Sequence, residues 1–255
     1  MIGSTILHKS SCNSSMDWAK EVAPQAAHGT LLLADVHRSP RGRHGRQWYA
    51  QPGQLLLTYI LKPTPEQIRP VDQVKPAPLH ALFMGISNSI LAPLRALDAR
   101  CVLKWPNDVY INNKKLAGVI IEPLWMGETL CAVIVGIGAN INNVFAEGGT
   151  LGPIATSIRE HSEVDHDLTL LQEAVSAELT TRYSEWEQRQ YHALYTAWRD
   201  AQGFVGRPLS VNLNNGTVMT GVMDGVRSNG DLIIRTADGK RQDLAFTDVV
   251  VWTPL

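Results

Sequence analysis

The stretch His37-Arg38-Ser39-Pro40-Arg41-Gly42-Arg43-His44-Gly45-Arg46-Gln47-Trp48 carries four arginines and two histidines in twelve positions. No acidic residue lies between Asp35 and Glu66, although the whole chain is nearly neutral, with 23 Lys and Arg against 24 Asp and Glu. Glycines allow the backbone to approach a ligand closely, and arginines are planar, permanently charged donors for phosphate and carboxylate. The stretch therefore predicts a mobile loop with unpaired positive charge that becomes ordered over a polyanion.

Other interpretations of this basic loop remain open at this point. It could be only a solvated loop or a patch for protein contacts, and Trp48 and Tyr49 would let it bind nucleic acid through charge and base stacking. The isoelectric point of the chain is near 6.7, whereas nucleic-acid-binding domains are usually basic. We therefore expect no nucleic-acid partner.

The bulk composition describes a chain with enough apolar residues for a core. It has 255 residues, of which 44% are hydrophobic and 18% charged, so one large domain or a domain plus a smaller one is expected. Its three cysteines, Cys12, Cys101 and Cys131, show no disulfide or metal-ligand spacing, and no metal site is predicted. No signal-peptide pattern and no apolar run of membrane-spanning length occur, which predicts a cytoplasmic protein without a membrane partner.

Apolar residues at strand and helix spacings outline the first 200 residues. The predicted strands are Ser4–Lys9, Thr30–Val36, Gln54–Leu61, Leu116–Leu124 and Thr129–Ile137, and the predicted helices are Met16–Val22, Leu79–Leu97, Leu168–Gln190 and Tyr191–Gln202. Pro93 should kink the long second helix. The last two strands flank Met126-Gly127-Glu128 and predict a hairpin. Both strands are too apolar for a sheet with one solvated face, so we expect helices to cover both faces.

From Phe204 onward the sequence changes character. Short β-like runs alternate with turn signals at Asn215-Gly216, Asn229-Gly230 and Asp238-Gly239. This pattern predicts a small all-β unit of roughly fifty residues.

Three further motifs are weak when each is taken alone. Lys104-Trp105-Pro106-Asn107-Asp108 could be an ordinary strand-to-turn junction, and Lys115 in Lys115-Leu116-Ala117-Gly118 could be a solvated edge lysine. Gly136-Ile137-Gly138 looks like a phosphate loop, but a lone Gly-x-Gly is weak evidence. Their order along the chain carries more information than any one of them.

Taken together, the motifs form one ordered set. They are Arg-Gly-Arg-x-Gly-Arg-x-Trp from Arg41, Lys-Trp-Pro-Asn-Asp from Lys104, Lys-x-Ala-Gly from Lys115 and Gly-x-Gly-x-Asn from Gly136. This set resembles the biotin protein ligases, and the resemblance extends from Ser4 to Trp252. Ser14-Ser15-Met16 lies where that family carries a Ser-Thr-Asn type of biotin contact.

We expect an α/β fold of the α+β type, and the resemblance agrees with it. A mixed, largely antiparallel sheet with packed helices should form a catalytic domain at residues 1–202. The resemblance implies that a small SH3-like β-barrel follows at residues 203–255. Some members of the family carry an N-terminal winged helix that represses biotin synthesis genes. Because the first predicted strand begins at about residue 4, the monofunctional form is expected.

The resemblance implies a two-step ligase that uses ATP, biotin and Mg²⁺. Biotin's carboxylate attacks the α-phosphate of ATP, which gives biotinyl-5′-adenylate and pyrophosphate. A lysine of the biotin carboxyl carrier protein of acetyl-CoA carboxylase then attacks this mixed anhydride. The enzyme is expected to be a monomer or a homodimer. The alternatives are a ligase that adenylates lipoate or a related acid, and a biotin or adenylate sensor without turnover.

Residue roles follow from the matched motifs. The implied catalytic residues are Lys115, Arg43 and Asp108. The implied biotin-binding residues are Ser14, Ser15, Met16, His37, Arg41, Gly42, Arg43, Lys115 and Gly118. The implied ATP-binding residues are Arg41, Arg43, Arg46, Trp48, Lys104, Asn107 and Asn140. Lys115 would lie against the biotin carboxylate and the α-phosphate, Asp108 would orient or deprotonate the carrier lysine, and Trp48 would latch the loop.

The chain departs from the family pattern at three positions. His37 replaces a usual Gln, Pro40 a usual Gly, and Ser15 a usual Thr. A neutral histidine still offers one donor and one acceptor, but with a different reach, and Pro40 stiffens the entrance to the loop. The changes bear on recognition of the acid and on loop closure, and they leave the adenylation chemistry in place.

Overall fold

A computed structural model describes residues 1–42, 45, 47–70, 75–146 and 148–255. The described strands are β1 (Ile6–Cys12), β2 (Thr30–His37), β3 (Gln54–Leu61), β4 (Val102–Lys104), β5 (Asp108–Ile111), β6 (Lys114–Met126), β7 (Thr129–Asn140), β8 (Pro208–Leu213), β9 (Val218–Val226), β10 (Leu232–Arg235), β11 (Arg241–Leu244) and β12 (Val249–Pro254). The described helices are α1 (Ser15–Val22), α2 (Pro65–Ile68), α3 (Pro78–Ser89), α4 (Leu91–Leu97), α5 (Arg159–Ser162), α6 (Leu168–Glu187) and α7 (Tyr191–Asp200).

The first seven strands form one sheet in the order β1-β2-β3-β7-β6-β5-β4. β1 and β2 run parallel, and the other neighbouring pairs are antiparallel. The predicted mixed, largely antiparallel sheet is confirmed. The predicted hairpin is also confirmed as β6 and β7, joined at Gly127, whose φ of 61° lies in the region that favours glycine.

The two faces of the central strands are covered differently. Residues such as Leu57, Tyr59 and Ile137 pack with the buried faces of α3, α6 and α7 in the main core, and the Tyr59 hydroxyl lies 2.9 Å from Ser176 Oγ on α6. On the other face, α1 packs over Ile60 and Ile134 in a second, smaller cluster. The apolar hairpin predicted helices on both faces, and among the described helices only α1 packs in this second cluster, over part of the second face.

The long helix predicted for Leu79–Leu97 is two helices. α3 ends at Ser89 and α4 begins at Leu91. Proline has no backbone N–H, so Pro93 cannot donate to the carbonyl of Ser89 in a continuous helix. The chain therefore breaks near Ile90 instead of bending at Pro93.

The C-terminal strands form a five-stranded antiparallel sheet in the order β11-β10-β9-β8-β12. This confirms the predicted small all-β unit, and the predicted turn glycines Gly216, Gly230 and Gly239 all have positive φ. In the described part of the chain, β11 and β12 are the outer strands and do not pair to close a barrel.

The two sheets share one buried core. The indole N–H of Trp105 donates to Gly230 O at 2.8 Å, and that of Trp252 donates to Trp105 O at 2.8 Å. Leu103 also forms a β-bridge with Gln202. Through the two indole hydrogen bonds, the segment after β4 is held directly against the C-terminal unit. Among the described helices, none is long and apolar enough to cross a membrane.

Candidate active site

The open part of the second sheet face forms a trough on β3, β7 and β6. Its floor consists of three cross-strand rows, which are Gln54–Asn140, Leu56–Gly138–Gly118 and Thr58–Gly136–Ile120. These residues share a face because side chains alternate along a strand with a period of two. Three of the eight floor positions are glycines, so the floor is low in the middle.

The two glycines of β7 make room for two neighbouring side chains. A Cβ at Gly136 would lie 2.6 Å from Met16 Sδ, and a Cβ at Gly138 would lie 2.9 Å from Trp48 Cε2. Gly136-Ile137-Gly138 therefore lies inside a strand and accommodates packing, and it does not form the loop that its pattern suggested. Met16 marks one end of the trough and Trp48 the other.

Walls around this floor enclose a cavity of about 320 Å³. They come from the start of α1, the described residues of the basic stretch, the Lys104–Asp108 segment and β12, together with Phe145, Leu151, Ile154 and Ala155. The described members of the predicted site all line it, namely Ser14, Ser15, Met16, His37, Arg41, Gly42, Trp48, Lys104, Asn107, Asp108, Lys115, Gly118 and Asn140. Arg43 and Arg46, with His44 of the predicted mobile loop, lie outside the described residues.

Buried polar atoms without partners occur at the Ser14 end of the trough, which comprises Ser14, Met16 and His37, and in Arg41 of the same cavity wall. Within the described part of the chain, Ser14 Oγ, His37 Nε2 and Arg41 Nε are buried and make no hydrogen bond. By contrast, Ser15 Oγ lies 2.7 Å from Thr58 Oγ1. Buried polar groups in proteins are usually paired, so three unpaired ones beside a cavity indicate a polar ligand.

The imidazole ring of His37 is partly buried at this end. Burial lowers the pKa of its imidazole below the ordinary value, because desolvation disfavours the charged form. At neutral pH the ring therefore offers one donor and one acceptor nitrogen.

Arg41 corrects the expectation that the positive charge of the loop is unpaired. One of its guanidinium nitrogens lies 2.6 Å from Asp17 Oδ1 and 3.5 Å from Glu122 Oε2. Glu122 also pairs with Lys20 at 2.6 Å. The local sequence has no acid to pair with Arg41, but α1 and β6 supply two. The prediction was therefore wrong for Arg41.

Lys115 lies at the middle of the trough. Its Nζ is 2.8 Å from Asp108 Oδ1, and a Cβ at Gly118 would lie 3.0 Å from each of these two atoms. The Lys115 backbone is held on its other side, where its N–H donates to Ile154 O and its carbonyl accepts from Thr156 N. A fixed, half-buried ammonium group thus faces the cavity.

Trp48 covers the floor next to this lysine. Its ring centroid is 5.7 Å from Lys115 Nζ, and its indole N–H donates to Gln54 Oε1 at 3.3 Å. We refer to Trp48, Gln54 and Asn140 as the Gln54 end of the trough. Asn140 is buried and accepts from Gln54 Nε2 at 2.8 Å.

Lys104 and Asn107 line the cavity, but their side chains also have partners in the fold. Lys104 Nζ donates to Trp252 O at 3.0 Å and lies 4.2 Å from the centroid of the Trp252 ring. The side-chain amide of Asn107 donates to Val119 O. Both residues connect β4 and β5 to their neighbours, and their predicted contacts with ATP stay predictions.

Sequence reasoning missed several residues around the trough. Gln54 and Thr58 lie within a predicted strand, where period two alone could have placed them on one face. Asp17 and Glu122 are single acids outside the motifs, and they carried no signal for a contact with Arg41. No group of three or more potential metal ligands occurs among the residues that the structure describes.

Known proteins resemble this chain in sequence and in fold. The family model described as Biotin/lipoate A/B protein ligase family matches residues 10–140, which is 131 of the 255 positions. The chain is 28% identical to the bifunctional ligase/repressor BirA of Bacillus spizizenii over 94% of this chain and 72% of that protein. It is also 28% identical to the biotin–acetyl-CoA-carboxylase ligase of Paracoccus denitrificans, over 88% of this chain and 91% of that one.

Solved structures share the whole architecture. The biotin protein ligase of Aquifex aeolicus, in complex with biotin and ATP, superposes with a TM-score of 0.81 at 23% sequence identity. The match covers 99% of this chain and 100% of that chain. This likeness shows that the chain has the same overall fold as that structure.

Proposed function

The chain belongs to the biotin/lipoate A/B protein ligase family, and we propose that it acts as a biotin protein ligase. It activates biotin with ATP as biotinyl-5′-adenylate and transfers the biotinyl group to a lysine of the biotin carboxyl carrier protein of acetyl-CoA carboxylase. The observation that carries this proposal is the set of unpaired polar atoms at the Ser14 end, beside the fixed ammonium group of Lys115.

The Ser14 end has the chemistry to hold biotin's ring system. A ureido group has N–H donors and a carbonyl acceptor, which match a serine hydroxyl and a neutral histidine. Ser14 Oγ and His37 Nε2 are buried and unpaired, so a ureido ligand would satisfy both. Met16 over Gly136 adds an apolar wall for the sulfur-containing ring.

The spacing along the trough suits a short acyl chain. Met16 lies over Gly136, and Lys115 Nζ lies by Gly118, which pairs with Gly138. Two residues of strand separate these rows by about 7 Å. A ring system bound at the Ser14 end would therefore place its carboxylate near Lys115.

Biotin fits this end better than lipoate does. The dithiolane ring of lipoate has neither an N–H nor a carbonyl group, so Ser14 and His37 would stay unpaired beneath it. An unpaired buried polar group costs about 1–3 kcal/mol, and 1.4 kcal/mol corresponds to a factor of ten. We therefore expect biotin to be preferred by about tenfold or more.

The middle of the trough supplies charge compensation for adenylation. The carboxylate of biotin attacks the α-phosphate, the bond to pyrophosphate breaks, and negative charge accumulates where Lys115 points. A fixed cation there stabilises the transition state without reorganisation. Arg43 and Arg46 would add to this charge by the motif resemblance.

The second step needs a neutral amine from the carrier. The free pKa of a lysine is near 10.4, so a proton must be removed before its nitrogen attacks the anhydride carbonyl and AMP leaves. Asp108 is the carboxylate beside Lys115, and we assign it the role of orienting or deprotonating the incoming amine. Trp48, over Gly138, would shield the anhydride from water.

Magnesium belongs to this proposal as part of the nucleotide substrate. Mg²⁺ is commonly held by substrate phosphates with one or two carboxylates, and Asp108 provides a carboxylate at the cavity. Lys104, Asn107 and Asn140 are the further residues that we assign to ATP.

The organisation of the protein and its partners complete the proposal. We assign residues 1–202 to a catalytic domain and 203–255 to a second domain. Strand β12 of the second domain forms part of the cavity wall. The protein would act in the cytoplasm as a monomer or homodimer, with the carrier protein as its partner.

Biotin-dependent exchange of pyrophosphate into ATP tests the proposal directly. The wild-type chain should catalyse this exchange with biotin and at least tenfold less efficiently with lipoate at equal concentration. Exchange that depends on lipoate more than on biotin would replace the proposed substrate, and exchange with neither acid would overturn the function.

A further inference from the structure

Gln54, at the start of β3, uses every group of its side-chain amide. Its Oε1 accepts from Trp48 Nε1 at 3.3 Å and from the N–H of Gln51 at 3.0 Å. Its Nε2 donates to Asn140 Oδ1 at 2.8 Å and to Tyr49 O at 3.1 Å. The residue lies outside all four motifs, and no sequence pattern singled it out.

These partners fix the orientation of two amides. An indole N–H and a backbone N–H can only donate, and a backbone carbonyl can only accept, so the Gln54 amide has one satisfactory orientation. Asn140 must then present Oδ1 to Gln54, and its Nδ2 points towards Lys115 O at 3.5 Å. The order of contacts is therefore Trp48, Gln54, Asn140 and the backbone of Lys115.

We propose that Gln54 is a positioning residue for the Gln54 end of the trough, acting through Trp48 and Asn140. It sets the plane of the indole that covers Gly138 beside Lys115, and it orients the buried amide of Asn140. The inference rests on the proposed function, in which these two side chains serve the nucleotide. Gln54 should therefore control the use of ATP and leave biotin binding nearly unchanged.

Two substitutions separate the effect of Gln54 on Trp48 from its effect on Asn140. Gln54→Glu keeps both acceptor contacts, to Trp48 and Gln51, but loses both donor contacts and brings a carboxylate against Asn140 Oδ1. Gln54→Met is similar in length and loses all four contacts. Gln242→Met is the matched control, because Gln242 is an exposed glutamine on β11, away from the cavity.

The kinetic test measures KM and kcat of pyrophosphate exchange for ATP and for the acid that the wild-type chain activates, biotin or lipoate. Gln54→Met should raise the KM for ATP about tenfold and change the KM for the acid by less than about twofold. In a Trp48→Phe background, the same substitution should raise the KM for ATP less than about threefold, since one of its two targets is gone. Gln242→Met should match the wild type.

The structural test needs no substrate. The indole N–H resonance of Trp48, assigned with Trp48→Phe in ¹⁵N-labelled protein, should shift in Gln54→Met and stay near its wild-type position in Gln54→Glu. If the wild-type chain activates neither acid, the proposed function fails, and this resonance still decides whether Gln54 positions Trp48.

Three results would overturn the inference. The first is an unchanged Trp48 resonance in Gln54→Met. The second is an equal rise in the KM for ATP and for the acid, which would indicate general damage to the fold. The third is a full tenfold effect of Gln54→Met in the Trp48→Phe background, which would show that Gln54 acts independently of Trp48.

Discussion

At the Ser14 end of the trough, buried polar atoms lack partners, whereas at the Gln54 end the amide of Gln54 is fully hydrogen-bonded. The first end is built for a ligand that brings its own donors and acceptors. The second end is a preformed wall that needs no ligand to hold its shape. The difference indicates that recognition of the acid and placement of the nucleotide are separate tasks, which meet at Lys115.

Lys115→Ala removes the ammonium group that lies between the two ends of the trough, and it should have the largest effect. Opposite charges 4 Å apart attract by roughly 4 kcal/mol at an effective dielectric near 20, so adenylate formation should fall about a hundred- to a thousandfold. The fold should survive, because the lysine side chain is 32% exposed. Pyrophosphate release measures the rate, and Lys240→Ala, whose side chain is 83% exposed, is the control. A rate within about threefold of wild type would remove Lys115 from its role.

The two floor glycines test the separation of tasks directly. Gly138→Ala places a Cβ 2.9 Å from Trp48, and Gly136→Ala places one 2.6 Å from Met16. Overpacking costs about 1–3 kcal/mol, and Met16 is more flexible than an indole. Gly138→Ala should therefore raise the KM for ATP about tenfold, and Gly136→Ala should raise the KM for biotin about fivefold. If each variant raised the KM for ATP and the KM for biotin equally, the claim that the two ends of the trough have separate roles would be contradicted.

Removing the polar partners of the Ser14 end should weaken biotin binding more modestly. Ser14→Ala and His37→Phe each delete one expected hydrogen bond, worth about 0.5–1.5 kcal/mol, or up to about tenfold in Kd. Calorimetric titration with biotin and with lipoate measures the effect. The loss should appear for biotin only, and an equal loss for lipoate would show that the ureido group is not recognised here.

The same end predicts a pH dependence. Burial lowers the pKa of His37, so the ring gains its proton only as the pH falls below about 6.5. Biotin affinity should be constant from pH 8 to 6.5 and should decline below that range. His37→Gln, which keeps a donor and an acceptor but does not titrate, should abolish the decline. A fall in affinity that begins above pH 7 would contradict a neutral buried ring.

The smallest effect is expected from the acids that hold Arg41. Asp17→Asn and Glu122→Gln weaken ion pairs that are partly exposed, and such pairs contribute about 0–1 kcal/mol. The KM for biotin should change by about twofold to fivefold. A Glu122→Gln effect as large as that of Lys115→Ala would move the reacting centre towards Arg41.

Much of this arrangement could be predicted from the sequence. Periodicity placed β3 with its observed bounds and located the β6–β7 hairpin, and the ordered motifs pointed to residues that the fold gathers around one cavity. A kink was predicted at Pro93, but the helix is interrupted near Ile90, because the hydrogen bond that a proline lacks would reach four residues back in the chain. Local sequence patterns reflect backbone conformation and burial, so they were sufficient to predict the strands and the hairpin.

The parts that the sequence could not predict depend on long-range contacts. Asp17 and Glu122 contact Arg41 because α1 and β6 pack beside it in the fold. No residue spacing in the sequence predicts these contacts. Gly136 and Gly138 resembled a phosphate loop, because a glycine needed for close packing and one needed for a turn look the same in a sequence. Gln54 became visible only when β3 and β7 were paired.

The measurement that tests the central claim most directly uses the carrier domain itself. The protein is incubated with ATP, Mg²⁺ and a biotin carboxyl carrier domain, with biotin in one sample and lipoate in another, and the carrier is weighed by intact-mass spectrometry and mapped by digestion. We predict one biotinyl group on one lysine, in the biotin sample and not without ATP. A carrier that stays unmodified with biotin, or that gains a lipoyl group more readily, would contradict the account.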